Sequence, residues 1–263
     1  MEPYPDLSRF LISQRLRTDP GVAPRELARA AGIDAERYND IEDGRAGRVA
    51  LSVLDALASA LRLEAADRGE LFRLGGSPGA CRLRGLGHLT RAVPNLPVVA
   101  FNHRFDITGW NLPGQALLAW GMDRPVDPVP PNLARMLFLD PATQALYGSW
   151  QPEATRIAAA LRRATRTHED EELSSLVVEL EAASPEFAAL WSDPAGGTRP
   201  AEDGSDVLVR FEHPAVGAMT LSRAVIEDGV GNGQRAVVFS PEPGSVSAAA
   251  LEDLLTRVTG RPC

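Results

Sequence analysis

Apolar residues recur at helical spacing through the first 75 residues of the chain. Within residues 51–63, Leu51, Leu54, Leu57 and Leu61 follow an i, i+3, i+4 pattern, which predicts an amphipathic helix. Shorter patterns of the same kind predict helices over residues 7–17 and 66–74, and two more between residues 24 and 45. Five small helices close together in sequence indicate one compact, all-α domain.

The two helices between residues 24 and 45 carry clear start and stop signals. Pro24 suits the first position of a helix, where its missing N–H costs nothing. Gly32 can end that helix with a positive φ, and Asp34 can cap the next helix by accepting from backbone N–H groups. Gly44 closes the second helix. Helix, glycine-containing turn and helix predict a helix-turn-helix motif, whose second helix enters the DNA major groove.

The second half of the chain mixes two periodicities. Strands are predicted over residues 98–103, 106–110, 207–213, 218–226 and 235–240. Helices are predicted over residues 112–120, 132–138, 141–150, 153–168, 171–183 and 246–258, and Ser184 should cap a further helix that starts at Pro185. Strands at both ends with helices between them favour an antiparallel sheet covered on one face, and so an α+β fold overall.

A break in the helical pattern divides the chain. Residues 75–79 read Gly-Gly-Ser-Pro-Gly, which is typical of a flexible linker. We therefore expect a helix-turn-helix domain over residues 1–76 and a second domain over residues 77–263.

Composition narrows the functional classes. Two cysteines, Cys81 and Cys263, indicate neither a disulfide framework nor a zinc site, and neither a signal peptide nor a membrane span is recognisable, so a cytoplasmic protein is expected. The four histidines lack metal-site spacing, and no nucleophile–base set suggests an enzyme or a cofactor. The net charge of −8 means that any DNA affinity must come from a local basic face.

The first 75 residues resemble the lambda-repressor/Xre-type helix-turn-helix family. The residues that carry the resemblance are Leu27, Ala28, Ala31, Gly32, Tyr38, Ile41, Glu42, Gly44, Arg45 and the run from Val53 to Ala58. The remainder resembles the MmyB-like ligand-binding domain of actinobacterial regulators. There the matching residues are Asp106, Trp110, Asn111, Asn132, Phe138, Leu139, Asp140, Pro141, Tyr147, Trp150, Glu179, Leu180, Ser184, Pro185, Glu186, Phe187, Trp191, His213, Pro214 and Gly217.

This resemblance implies a homodimeric transcription regulator that binds double-stranded DNA and carries a PAS-like sensory domain. The available DNA-binding donors are Arg25, Arg37, Asn39, Arg45 and Arg48. Glu36 and Asp40 share the exposed face and would repel phosphates, although a carboxylate can accept from cytosine. Arg17 and Glu42 match positions that pair in many members of the family, and they are predicted to form a partly buried ion pair.

The resemblance also implies a small apolar, fatty-acid-like ligand in the second domain. The candidate ligand-binding residues are Trp110, Asn111, Phe138, Trp150, Phe187 and Trp191. Core packing is the alternative for each aromatic side chain, and capping of the next helix is the alternative for Asn111. The competing function is a protein-interaction adaptor whose helix-turn-helix domain no longer binds DNA.

Overall fold

The computed structural model describes residues 5–18, 22–46, 49–75, 86, 89–121, 131–193, 207–227 and 233–259. The chain forms two compact units. One comprises Met1–Ala80, Leu112–Pro128 and Glu252–Cys263, and the other comprises Cys81–Asn111 and Val129–Leu251. The predicted linker over residues 75–79 lies outside the described residues after Gly75, so the domain boundary after residue 76 stays a prediction.

The described residues form helices and strands in the following order. The helices are α1 (Pro5–Thr18), α2 (Pro24–Ala30), α3 (Ala35–Glu42), α4 (Leu51–Ala60), α5 (Ala65–Gly75), α6 (Leu89–Ala92), α7 (Leu112–Leu118), α8 (Leu133–Leu139), α9 (Pro141–Leu146), α10 (Gln151–Thr167), α11 (Glu171–Ala183), α12 (Pro185–Ser192) and α13 (Val246–Thr259). The strands are β1 (Val98–Phe101), β2 (Ile107–Trp110), β3 (Val207–His213), β4 (Gly217–Glu227) and β5 (Arg235–Pro241).

Helices α1 to α5 bury one apolar face each in the first unit. Leu11, Tyr38, Ile41, Leu54 and Phe72 are each 1% exposed or less, and they fill the core between these helices. The five predicted helices are therefore confirmed. Helix α4 ends at Ala60 rather than at residue 63, because the backbone reverses into a left-handed conformation two residues later, at Arg62 (φ 51°).

The second unit is built on a five-stranded antiparallel sheet with the strand order β2-β1-β5-β4-β3. Helices α8 to α12 lie between β2 and β3 in the sequence, which confirms the predicted α+β fold. Strand β3 alternates between buried and exposed positions, as expected for a sheet with one covered face. Strand β1 is buried at all four positions, so the prediction of one covered face is wrong there: β1 is covered on both faces.

Among the other boundaries that differ from the prediction, two have a visible structural cause. Helix α9 ends at Leu146 instead of running to Trp150, because Tyr147 turns to extended backbone and forms a bridge with Phe211 of β3. Strand β1 ends at Phe101, where the amide of Phe105 donates to the carbonyl of Asn102 and closes a turn. Ser184 caps α12 by accepting from the amide of Phe187 at 3.2 Å, as predicted.

Candidate DNA-binding and ligand-binding sites

The helix-turn-helix motif consists of α2, a three-residue turn over residues 31–33, the capping residue Asp34, and α3. Gly32 ends the first helix with φ 66°, and its amide donates to the carbonyl of Arg29 at 3.1 Å. Asp34 caps α3 by accepting from the amide of Glu36 at 2.7 Å. Leu27 and Ile41 are buried on the facing sides of the two helices. The local signals read from the sequence therefore produce the predicted turn.

A partly buried ion pair connects α1 to the end of α3. Arg15 donates from Nε to Oε1 of Glu42 at 2.9 Å, and the hydroxyl of Tyr38 approaches the same oxygen at 3.4 Å. Burial alone would lower the pKa of Arg15, but Glu42 outweighs that effect and raises it. The prediction of an Arg17–Glu42 pair is wrong.

The geometry of α1 explains which arginine pairs. Leu7, Leu11 and Gln14 define the buried face of this helix, and Arg15 follows Leu11 by four residues. Arg17 is two residues further on, roughly 200° around the helix. Its side chain is 70% exposed and lies 3.8 Å from Asp67.

The predicted DNA-binding residues occupy different environments. Arg25 and Asn39 are exposed, and Arg37 is half-buried. Arg45 is exposed, but it contacts the carboxylate of Asp40 at 3.0 Å and that of Asp43 at 2.7 Å. Arg48 lies outside the described residues. The structure therefore gives this face of the motif fewer uncompensated positive charges than the sequence suggests.

Four of the predicted ligand-binding aromatics form one continuous row in the second unit. The ring centroids of Trp150 and Phe138 are 6.3 Å apart, those of Phe138 and Phe187 are 4.9 Å apart, and those of Phe187 and Trp191 are 5.4 Å apart. Phe138 and Phe187 are buried, whereas Trp150 and Trp191 at the two ends are half-buried. Large, partly accessible aromatic surfaces of this kind are typical of apolar ligand sites.

A guanidinium group contacts Trp191, at one end of this aromatic row. The guanidinium of Arg162 lies 5.3 Å from the ring centre of Trp191. Its Nη2 also donates to the carbonyls of Leu190 at 2.7 Å and Trp191 at 2.8 Å. These contacts hold the end of α12 against α10 and orient the indole ring.

Trp110 and Asn111 lie at the end of β2. Trp110 pairs with Val99 of β1 and is 8% exposed. The side-chain oxygen of Asn111 accepts from the amide of Val98, while its Nδ2 donates to the carbonyls of Val93 and Leu96. These bonds fasten the start of β1, and a ligand contact or a capping role for Asn111 stays a prediction.

Sequence reasoning missed a buried charged cluster of Glu153, Arg156 and Arg223. Arg223 is 8% exposed, and its Nη1 donates to Oε1 of Glu153. The alternation of buried and exposed positions in β4 is the sequence signal from which this cluster could have been predicted. Arg223 follows Met219 and Leu221 at every second position, and a polar residue on the buried face of a strand requires a partner.

The described residues also bear on metal binding and on membrane insertion. No group of three or more His, Cys, Asp or Glu side chains that could hold a metal ion occurs in the part of the chain that the structure describes. Within the same residues, none of the helices is both long and apolar enough to cross a membrane.

Comparison with protein families gives two matches. Residues 84–255 match the MmyB-like transcription regulator ligand binding domain, and residues 7–71 match a helix-turn-helix domain. Both are domains of regulators rather than of enzymes. A search of curated proteins found no significant match. The first match alone spans most of the chain, and the helices and strands within it agree with a regulatory domain that follows a DNA-binding head. The chain therefore belongs to the family of DNA-binding transcription regulators that carry an MmyB-like ligand-binding domain.

Proposed function

We propose that this protein binds specific DNA sequences as a homodimer in the cytoplasm, under the control of a small apolar, fatty-acid-like ligand. The observation that supports ligand binding best is the row of Trp150, Phe138, Phe187 and Trp191. Its members come from α8, α12 and the N-cap of α10, and its two ends are half-buried. An apolar molecule placed along it would gain from the removal of apolar surface from water.

The DNA-binding half of the proposal rests on α2 and α3. The exposed side chains of Arg25 and Asn39 can reach phosphates and base edges when α3 lies in the major groove. A two-fold dimer would place two such helices at half-sites about 34 Å apart. A ligand changes DNA affinity only if it prefers one arrangement of the dimer over another.

The first experiment is binding of the full chain to its own and neighbouring promoters over a series of salt concentrations. Specific binding that weakens steeply with salt is expected, because phosphate contacts release counterions. Arg25→Ala should weaken binding and flatten the salt dependence by about one unit of slope. Arg9→Ala is the matched control, since Arg9 is 77% exposed and lies on α1, outside the motif.

The ligand half is tested separately with dodecan-1-ol, a neutral molecule with a single alkyl tail. We expect it to bind the full chain and to change the affinity for the promoter DNA. Phe138→Leu should weaken dodecan-1-ol binding several-fold, because it removes the ring at the middle of the row. Val178→Ala should not, because Val178 is 66% exposed on α11. Binding that ignores Phe138→Leu would contradict the proposed site.

One observation favours the adaptor as the second candidate. Asp40 and Asp43 compensate the charge of Arg45, which weakens the electrostatic attraction of the motif for DNA. Absence of DNA binding at low salt, with and without dodecan-1-ol, would favour the adaptor function over the DNA-binding function. The next experiment would then be affinity purification of partner proteins with the full chain as bait.

A further inference from the structure

The side of α3 that faces away from the core is acidic. The buried side of this helix consists of three residues, Tyr38, Ile41 and Glu42. Glu36 precedes Tyr38 by two residues, roughly 200° around the helix, and its side chain is exposed. Asp40 follows Glu36 by four residues and Asp43 follows it by seven, so all three carboxylates lie along the outward side. An acidic line of this kind is unusual on a helix that approaches DNA, because phosphates repel it.

Two of these three carboxylates are neutralised within the chain. Asp40 contacts the guanidinium of Arg45 at 3.0 Å, and Asp43 contacts it at 2.7 Å. The side chain of Glu36 forms neither a hydrogen bond nor an ion pair with any residue that the structure describes. Its carboxylate therefore keeps its hydrogen-bonding capacity for a molecule that approaches α3.

Glu36 also holds the position on α3 that is closest to the bases. It belongs to the first turn, and its amide donates to Oδ1 of the capping residue Asp34 at 2.7 Å, which fixes the backbone there. In a helix-turn-helix motif the N-terminal residues of the second helix contact base edges in the major groove. When α3 lies in that groove, Glu36 faces a base pair, whereas Asp40 and Asp43 lie further toward the C-terminus of the helix.

A carboxylate at this position distinguishes sharply between bases. It accepts hydrogen bonds and donates none. In the major groove cytosine presents the N4 amino donor, whereas guanine presents the acceptors N7 and O6 and thymine presents the acceptor O4. A carboxylate opposite an acceptor stays unpaired and partly desolvated, which is costly. Glu36 can therefore select cytosine mainly by penalising the other bases.

We propose that Glu36 reads a cytosine in the DNA half-site by accepting a hydrogen bond from its N4 amino group. This inference rests on the proposed DNA-binding function and adds a specified base to it. Because the same carboxylate repels phosphates in every sequence, Glu36 contributes discrimination at the expense of affinity. A phosphate contact from Arg25 would have the opposite effect, since it strengthens binding to every sequence alike.

The test begins with selection of the preferred half-site from a pool of random DNA duplexes by the full chain. We expect a cytosine at one position, and replacement of that C·G pair should weaken binding by wild-type protein about 10-fold. Glu36→Ala should lose the preference at this position alone, and it should bind random duplexes more tightly than wild type because a negative charge is removed. Glu36→Gln should move the preference to adenine, since an amide pairs with N6 and N7 of that base.

A matched protein variant and a modified base separate base reading from general electrostatics. Glu64→Gln removes an exposed carboxylate directly before α5, outside the motif, so it should keep the preference for cytosine. In a base pair, N4-methylcytosine places its methyl group on the major-groove side of the amino group and leaves no donor there. At the selected position it should weaken binding by wild-type protein and leave binding by Glu36→Ala unchanged.

Three results would overturn the inference. A selected half-site with no cytosine whose replacement weakens binding would show that the carboxylate reads no amino group. An unchanged preference in both the Glu36→Ala and the Glu36→Gln protein would show that another residue reads the cytosine. In these two cases the proposed DNA-binding function stands. If the full chain selects no sequence at all, the proposed DNA-binding function fails together with the inference.

Discussion

Glu42 connects α1 and α3 of the helix-turn-helix unit through its carboxylate and its backbone carbonyl. Its Oε1 contacts Arg15 of α1 at 2.9 Å and the hydroxyl of Tyr38 at 3.4 Å, and the hydroxyl of Ser8 donates to its backbone carbonyl. The Arg15 and Glu42 side chains are 16% and 10% exposed, so the pair is largely screened from water. Removal of the carboxylate leaves Arg15 with uncharged partners, the carbonyl of Val22 and the hydroxyl of Tyr38.

We therefore expect Glu42→Ala to lower the free energy of unfolding of the first unit by about 3 kcal/mol, since it leaves an uncompensated, mostly buried charge. Arg17→Ala should cost less than about 1 kcal/mol, because Arg17 is exposed and 3.8 Å from its partner. Denaturant unfolding of both variants measures the difference. Equal losses of unfolding free energy in the two variants would instead support the predicted pair of Arg17 and Glu42.

Asp170 gives the second unit a pH-dependent contribution to stability. Although partial burial opposes ionisation, bonds from His103, the amide of Leu173 and Arg104 lower the pKa of Asp170 to about 2. A carboxyl group whose pKa is depressed in the folded state stabilises the fold at neutral pH, and this contribution is lost as the pH falls from about 4 to about 2. The contribution is on the order of 2 kcal/mol.

Asp170→Asn should therefore reduce the acid sensitivity of unfolding between about pH 4 and pH 2, and it should lower stability at pH 7. An asparagine can still cap α11, so the substitution removes the charge and preserves the cap. Glu181→Gln is the control because it removes an exposed charge from the same helix. A pH profile identical to that of wild type would contradict the assignment.

At the scale of elements, acidic side chains at the end of α3 reduce the expected attraction of this helix for DNA phosphates. Asp40 within the helix and Asp43 at its C-cap both contact Arg45 just beyond it. Substitution of both by Asn should free Arg45 for a phosphate contact. We expect tighter promoter binding and a salt dependence steeper by about one unit of slope.

The loss of two negative charges could itself strengthen DNA binding, so the same double substitution is made in an Arg45→Ala protein. There the steeper salt dependence should disappear. A gain of equal size in both backgrounds would assign the effect to general electrostatics and would remove Arg45 from the DNA-binding residues.

At the scale of the whole molecule, the first unit includes segments that are distant in sequence from the helix-turn-helix motif. The amide of Ser52 near the start of α4 lacks an intrahelical acceptor, and it donates to the carbonyl of Trp120 at 2.9 Å. Ala50, the N-cap residue, has no side-chain oxygen to do this. Nε of Arg68 likewise donates to the carbonyl of Arg257 at 2.8 Å, and Asp55 contacts Arg68 and Arg257.

A fragment that ends at Ala80 lacks Trp120 and Arg257, and we expect it to have a lower Tm than the same unit in the full chain. Hydrogen exchange of the Ser52 amide should be faster in the fragment. The amide of Tyr38 is the internal reference, because its acceptor, the carbonyl of Asp34, lies within the motif. Equal Tm values and equal exchange at Ser52 would show that the distant segments add nothing.

Features that depend on neighbouring residues are predicted accurately from the sequence, whereas features that depend on residues far apart in the chain are not. Strand β3 and helix α11 were predicted with the bounds that the structure shows, because alternation and capping are properties of adjacent residues. Helix α9 was predicted four residues too long, because the bridge between Tyr147 and Phe211 joins residues far apart in sequence. The resemblance predicts ligand binding by Trp150, Phe138, Phe187 and Trp191, but only the packing of α8, α12 and the N-cap of α10 brings these four rings together.

Local residue patterns were enough to predict the turn at Gly32, the caps at Asp34 and Ser184, and the order of strands and helices. These depend on backbone preferences and on periodicity within a few residues. Long-range packing sets three other features: Arg15 pairs with Glu42, β1 lies between β2 and β5, and Arg223 contacts Glu153. Each of those choices depends on which of several chemically equivalent partners the packed core brings within a few ångströms, and no local pattern encodes that distance.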